Sequence, residues 1–206
     1  MSTLHNKGLL LVVSGPAGSG KGTVLKCLMD KNDEFVYSVS ATTRAPRPGE
    51  VNGVNYHYIS TEEFEDRIKN GGMLEYTRYC ENYYGTPKKE AEAVLDSGKN
   101  LILEIEVEGA ENVKRLYPDA VLIMLLPPHF SVQESRLRGR GTETEEVILK
   151  RLERTREELT RLGSYDYVVY NRDGGAQETA DDIISIVRAE KLRLLRTSDA
   201  AKKYFE

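Results

Sequence analysis

The sequence predicts an α/β fold, a parallel sheet flanked by helices with a smaller mixed α/β subdomain inserted into it, on three observations. Gly8–Ser14, Leu101–Ile105 and Ala120–Leu126 contain short apolar runs that read as strands buried on both faces. Charged stretches of helical length alternate with them, as a sheet built from βαβ units requires. Between about Val36 and Ala93 the texture changes to tyrosines, Pro46, Pro48, several glycines and polar alternation, which does not continue that repeat.

Taken in order, Leu-Leu-Leu-Val-Val supplies the first strand, a glycine-rich turn follows, and Gly20–Met29 has helical composition. Leu101–Ile105 and Ala120–Leu126 flank a charged segment, Val107–Leu116, as one βαβ unit, and Pro127-Pro128 stops the second strand. Ser131–Leu137 and Glu145–Leu162 read as charged helices, Tyr167–Tyr170 as a strand, and Ala176–Leu195 as a final amphipathic helix. The expected organisation is a core of residues 1–36 and 94–206, with a glycine-flanked segment near 137–150 inside it, and an inserted subdomain over 37–93.

Composition narrows the function classes. The chain has 206 residues, with 29 Lys and Arg against 33 Asp and Glu, a net charge of −4. That balance argues against nonspecific coating of nucleic acid or of an anionic membrane, so phosphate binding has to be local. The longest apolar run, Ala120–Leu126, is far short of the roughly 18 residues a membrane helix needs, and no signal-peptide pattern opens the chain. A cytosolic location is expected. Cys27 and Cys80 have no framework or C-x-x-C spacing, and His5, His57 and His129 are scattered, so neither a zinc site nor histidine-centred catalysis is expected.

The turn after the first strand reads Gly15-Pro16-Ala17-Gly18-Ser19-Gly20-Lys21. Gly15, four residues, Gly20 and Lys21 match the phosphate-loop spacing, so the core is of the P-loop NTPase type. The glycines let backbone N–H groups turn around phosphate oxygens, the helix amino terminus adds its dipole, and Lys21 reaches the terminal phosphates. Gly22 stands where the general pattern has Ser or Thr, with Thr23 one position on. A direct magnesium–hydroxyl contact is therefore not expected; Gly-Lys-Gly-Thr resembles the form found in several nucleoside-monophosphate kinases, which implies magnesium held largely by nucleotide phosphates and water, with Thr23 hydrogen-bonding a phosphate. A dinucleotide fold is excluded because Gly18-x-Gly20 is not followed by the third glycine, and a GTPase switch because Asn-Lys-x-Asp and Asp-x-x-Gly are missing.

A second constellation lies in the insertion. Ser38–Glu50 packs hydroxyls with Arg44 and Arg47 into a segment that Pro46 and Pro48 keep extended, and Asn52-Gly53-Val54-Asn55-Tyr56 follows. Two guanidinium forks suit a phosphate, and Tyr56 and Tyr84 add uncharged donors. From the Gly-Pro-Ala-Gly-Ser-Gly-Lys loop through Ser-Ala-Thr-Thr-Arg-Ala-Pro-Arg and Gly-Glu-Val-Asn-Gly-Val-Asn-Tyr, the chain resembles the guanylate kinase family. The likeness continues through Met-Leu-Glu-Tyr, Asn82–Thr86, Glu104–Gly109 and Arg138–Glu143, nearly the whole chain.

The resemblance implies an ATP:GMP phosphotransferase that uses magnesium and makes ADP and GDP, in guanine nucleotide salvage and recycling. It implies that Arg44, Arg47, Tyr56, Tyr84 and Thr86 hold the GMP phosphate, and that Ser40, Glu75 and Glu106 read the guanine. It also implies that Gly15–Thr23 bind ATP with Arg136 and Asn171 at its adenine, and that Arg140 and Arg151 reach the transferring phosphoryl group. Lys21, Arg44, Arg140 and Arg151 are then the catalytic cations, the 37–93 insertion binds GMP, and 137–150 is a lid. Guanine's N1–H and N2–H₂ donors suit a carboxylate such as Glu75, whereas adenine leaves it unpaired. Glu104, Glu106 and Thr86 stand where some members of the family have two aspartates and a serine. The rivals weighed are an inactive guanylate-kinase-like module that binds phosphorylated proteins and a kinase for another monophosphate or a sugar phosphate. Lys21 and the lid arginines argue against the first, and Glu75 with the tyrosine-rich cradle against the second. Oligomeric state is left open.

Overall fold

The computed structural model describes residues 7–139, 141 and 143–196. In chain order the elements are β1 (Leu10–Ser14), α1 (Lys21–Lys31), β2 (Phe35–Tyr37), β3 (Ala41–Thr42), β4 (His57–Tyr58), α2 (Thr61–Lys69), β5 (Met73–Tyr79) and β6 (Asn82–Pro87). They continue as α3 (Lys88–Asp96), β7 (Asn100–Glu104), α4 (Val107–Leu116), β8 (Val121–Leu126), α5 (Phe130–Gly139), α6 (Glu145–Leu159), β9 (Tyr167–Tyr170) and α7 (Ala176–Lys191). A five-stranded sheet has the order β2-β7-β1-β8-β9, and a four-stranded sheet the order β4-β3-β6-β5. The first fulfils the parallel expectation: β7 pairs in parallel with β1 and with β2.

Contacts divide the chain into two compact units. One comprises the described residues through Ser14, Glu34–Ile123 and Arg161–Tyr167; the other comprises Gly15–Asp33, Met124–Thr160 and the chain from Val168 onward.

In the first unit, every residue of β1 is buried, as the unbroken apolar run demands. Leu10, Val12, Leu101, Leu103 and Leu122 join Ala110 and Val113 of α4 and Ala91 and Leu95 of α3 in one core cluster. The second sheet is mixed: β3 runs parallel to β4 and antiparallel to β6, which pairs antiparallel with β5. Its own small core centres on Phe64 of α2, fully buried with Ala41 and Met73 and stacked on Tyr83 at 5.1 Å between ring centroids. Ser60 caps α2, its hydroxyl accepting from the Glu63 amide at 3.1 Å.

In the second unit, α1 packs on α7, whose buried Thr179, Ala180, Ile183 and Val187 form one helical stripe. A smaller cluster of Leu137, Ile148 and Leu152 holds α5 to α6 and receives Ala17 of the glycine-rich loop. Helix α6 starts at Thr144, whose side chain makes no capping bond; Glu145 and Glu146 sit in the first turn instead, where the helix dipole favours acidic groups. Arg140 and Thr142, in the segment before α6, lie outside the described residues. The last helix ends at Lys191 rather than Leu195.

Candidate active site

The glycine-rich loop leaves β1 and enters α1 through backbone conformations that only glycine takes at low cost. Gly18 has φ 83° and Gly20, the residue before α1, has φ 87°. Gly15 is required for a different reason: a Cβ there would lie 2.2 Å from the Leu125 carbonyl oxygen. Lys21 donates to the Gly15 carbonyl, folding its ammonium back over the loop. Ser19 is fully buried and its hydroxyl has no hydrogen-bond partner, whereas Thr23 is exposed in the first turn of α1. Among the described residues, no group of three His, Cys, Asp or Glu side chains is arranged to hold a metal.

Arg136 and Asn171 both reach this loop. Asn171 is buried and its Nδ2 donates to the Ser19 carbonyl at 2.8 Å. Arg136 donates to the carbonyls of Gly18 at 3.3 Å, Ser19 at 3.4 Å and Asn171 at 2.8 Å, and pairs with Asp173 at 2.7 Å. Arg151, on α6, is paired with Glu143 at 2.7 Å; the second carboxylate oxygen of Glu143 is buried without a partner.

The other constellation belongs to the first unit. Arg44 forms a two-pronged pair with Glu50, Nη1 to Oε2 and Nη2 to Oε1, both at 3.0 Å. Glu50 also accepts from the Arg47 amide at 2.7 Å and from the Tyr58 hydroxyl at 2.7 Å. The Arg44 hydrogen bonds come first among the causes that hold the Glu50 carboxyl down to about 2, and they push the guanidinium above its ordinary range. The Arg44 guanidinium lies 5.6 Å from the centroid of Tyr56 and 5.8 Å from that of Tyr58, and Tyr56 meets Tyr84 edge-on at 6.0 Å. Burial raises the Tyr56 hydroxyl above its usual range. Arg47 is exposed beside this cluster.

Glu75 and Thr86 face each other across β5 and β6, and both are buried. The Thr86 hydroxyl donates to Glu75 Oε1 at 2.9 Å. Desolvation raises the Glu75 carboxyl to about 7, and the Thr86 hydrogen bonds offset part of that rise. Ser40 stands just before β3, its carbonyl accepting from the His57 amide at 2.8 Å. Glu106 is exposed at the start of α4, and Glu104, at the end of β7, accepts from the Tyr37 hydroxyl at 2.8 Å. Burial and that carboxylate push the Tyr37 hydroxyl well above the normal phenol range.

The structure thus gathers Arg44, Tyr56 and Tyr84 into one cluster, Glu75 and Thr86 into another, and Arg136 and Asn171 onto the loop. Sequence reasoning assigned no role to Glu50, Tyr58, Tyr37, Gln133 or Glu143. Only Glu50 carried a signal, as the lone carboxylate in a segment with two arginines.

A buried parallel strand, a glycine loop and a helix opening on Lys21 make this a P-loop kinase-type α/β fold. The guanylate kinase family model matches residues 7–190. The chain is 44% identical over 203 residues to the guanylate kinase of Oceanobacillus iheyensis, covering 98% of each protein. It is 50% identical over 194 residues to that of Streptococcus thermophilus, covering 94% of this chain and 92% of that one. Among solved structures, guanylate kinase from Anaplasma phagocytophilum superimposes with a TM-score of 0.70 at 32% identity, covering 92% of this chain and 89% of that one. The chain belongs to the guanylate kinase family, and it is an enzyme of the nucleoside-monophosphate kinase class.

Proposed function

We propose that the enzyme transfers the γ-phosphoryl group of ATP to GMP, giving ADP and GDP, with magnesium, in cytosolic guanine nucleotide recycling. The observation that carries the acceptor assignment is Glu75: a buried carboxyl whose only described side-chain partner donates to one oxygen, leaving acceptor capacity that guanine's N1–H and N2–H₂ fit. A site built around an unpaired acceptor rejects a base lacking those donors by as much as about 10⁴-fold. Ser40 and Glu106 complete the base contacts, and Arg44, Arg47, Tyr56, Tyr84 and Thr86 the acceptor phosphate, with Thr86 also holding Glu75.

An oxygen of the GMP phosphate attacks the γ-phosphorus, the bond to the β–γ bridging oxygen breaks, and ADP leaves with that electron pair. Such a transfer needs in-line positioning and cations over the equatorial oxygens more than covalent help. Lys21 and the loop amides hold the donor triphosphate, Arg44 fixes the acceptor, and Arg140 of the 137–150 lid and Arg151, just after it on α6, supply charge at the transferring group. Among the described residues no group of three His, Cys, Asp or Glu side chains is arranged to hold a metal, so magnesium fits as an ion held by phosphate oxygens and water, with the hydroxyls of Ser19 and Thr23 as donors to the phosphates. Bound there, magnesium would supply positive charge against the donor's phosphates.

A coupled ADP-release assay with ATP and magnesium, offering GMP, dGMP, AMP, UMP or no acceptor, tests this. GMP-dependent release that disappears in Lys21→Ala is expected. GMP binding without release would instead support the inactive interaction module, and a preference for AMP or UMP would overturn the acceptor assignment.

A further inference from the structure

Five consecutive carbonyl oxygens of the phosphate loop each accept a hydrogen bond. Gly15 accepts from Lys21 Nζ, Pro16 from the Ser19 amide at 3.1 Å, and Ala17 from Gln133 Nε2 at 2.9 Å. Gly18 accepts from Arg136 at 3.3 Å, and Ser19 from both Asn171 at 2.8 Å and Arg136 at 3.4 Å. In a trans peptide the carbonyl and the next N–H point opposite ways, so a side chain that fixes one carbonyl also aims the following amide. Holding the Ala17 carbonyl directs the Gly18 amide away from Gln133, and holding the Ser19 carbonyl directs the Gly20 amide away from Asn171. Neither amide has an acceptor among the described residues.

We propose that Gln133, Arg136 and Asn171 are positioning residues: they hold the loop's carbonyls outward so that its amides converge on the polyphosphate of the donor. On this view the side chains of Arg136 and Asn171 act on the donor's phosphates through the loop. The proposal rests on the loop being the donor-phosphate site, as read above.

The three side chains are built for a fixed geometry. Gln133 and Asn171 are buried, so their amide donors cannot exchange a lost carbonyl for water without cost. Gln133's Nε2 also donates to Thr155 Oγ1 at 2.7 Å, whose own proton goes to the Arg151 carbonyl at 2.9 Å, fixing the amide's orientation. Asn171 is fixed by its own amide, which donates to the Leu126 carbonyl at 2.8 Å. The fit against the loop is close enough that a Cβ on Gly20 would fall 2.3 Å from Asn171 Nδ2. Arg136 ties the set together by bonding the Asn171 carbonyl as well as the loop.

Inorganic tripolyphosphate separates the two roles, because it offers the phosphates without a base. Dissociation constants of ATP and of tripolyphosphate, both with magnesium, and of GMP are measured by calorimetry for Asn171→Leu, Asn171→Asp and Gln133→Leu. Leucine keeps the approximate volume and removes the donors; aspartate keeps the shape but points an acceptor at the Ser19 carbonyl. The expected result is a loss of about tenfold or more for ATP and tripolyphosphate alike in all three variants, with GMP binding within about twofold of wild type. Weakened ATP with unchanged tripolyphosphate would assign Asn171 to the base and overturn the proposal. So would an Asn171→Asp protein with wild-type affinities, or a parallel loss of GMP binding, which would make the residues architectural. A wild-type enzyme that binds both polyphosphates yet phosphorylates no GMP would refute the kinase reading while leaving the positioning role to stand on the binding data.

Discussion

Glu75 gives the site a pH dependence whose sign and size follow from its burial. Its carboxyl is raised from the ordinary 4.5 to about 7, with desolvation the largest cause. Between those values the folded protein binds a proton that the unfolded chain has released, so stability falls as pH rises. Burying this carboxyl therefore costs nothing extra below about pH 4.5 and its full amount above about pH 7. A rise of about 2.5 units at about 1.4 kcal/mol each gives about 3 kcal/mol. Glu75→Gln keeps the shape and an acceptor for Thr86 but has no charge to desolvate. Urea unfolding of ligand-free wild type and variant from pH 5 to pH 8.5 should give curves that diverge in the variant's favour by about 2 to 3 kcal/mol across the window. Comparing the two proteins cancels every other titrating group. Parallel curves would mean that the carboxylate is solvated in the folded protein, and the reasoning from burial would fail.

Three further outcomes are expected. Arg44→Lys loses the fork that meets Glu50 with two bonds, so the Michaelis constant for GMP should rise by about tenfold or more while that for ATP stays within a few-fold, by steady-state kinetics. Arg151→Ala should lower turnover by about 10³-fold or more with small changes in both Michaelis constants; an unchanged turnover would remove Arg151 from the catalytic set. Gly20→Ala forces a side chain into φ 87° and against Asn171, so it should unfold at lower urea by about 1 to 3 kcal/mol and bind ATP more weakly than GMP by comparison with wild type.

The parallel sheet was legible because a strand buried on both faces has to be a continuous apolar run, and Leu10–Ser14 and Val121–Leu126 are such runs. Helix α4 was legible to the residue, since a charged stretch between two such strands has one place to go. The insertion was recognised only as a change of texture. Strands β3 and β4 are two residues each and owe their existence to pairing with β6 and with each other, which no local periodicity encodes. Within the site, residues whose chemistry is intrinsic were visible: the glycines, Lys21, the paired arginines. Those that act by completing another group's hydrogen bonds were not. Glu50 meets Arg44 across a turn, and Gln133 meets Ala17 across 116 positions, so neither contact has a sequence spacing that could announce it.

In the reading proposed above, the phosphate and base ends of the acceptor site solve opposite electrostatic problems. Around Arg44 the charge is compensated in advance: Glu50 accepts from both prongs of the fork and from two further donors, so the guanidinium is oriented before a phosphate arrives. A dianionic phosphate then joins a pair rather than a bare cation, which favours geometry over raw attraction. At Glu75 the charge is instead withheld. With a carboxyl near 7, a large part of the ligand-free enzyme carries it neutral at physiological pH. Guanine's two donors then stabilise the ionised form, so GMP uptake draws a proton off Glu75, and the base offsets the desolvation that the Thr86 hydrogen bonds leave uncompensated in the empty site. Adenine presents one amino donor and the N1 acceptor at its pairing edge, so AMP suits only the neutral acid and leaves the ionised carboxylate facing a lone pair. Selectivity then resides in the burial of one carboxyl as much as in the hydrogen bonds it makes, and it is largest where the pH lies at or above its pKa.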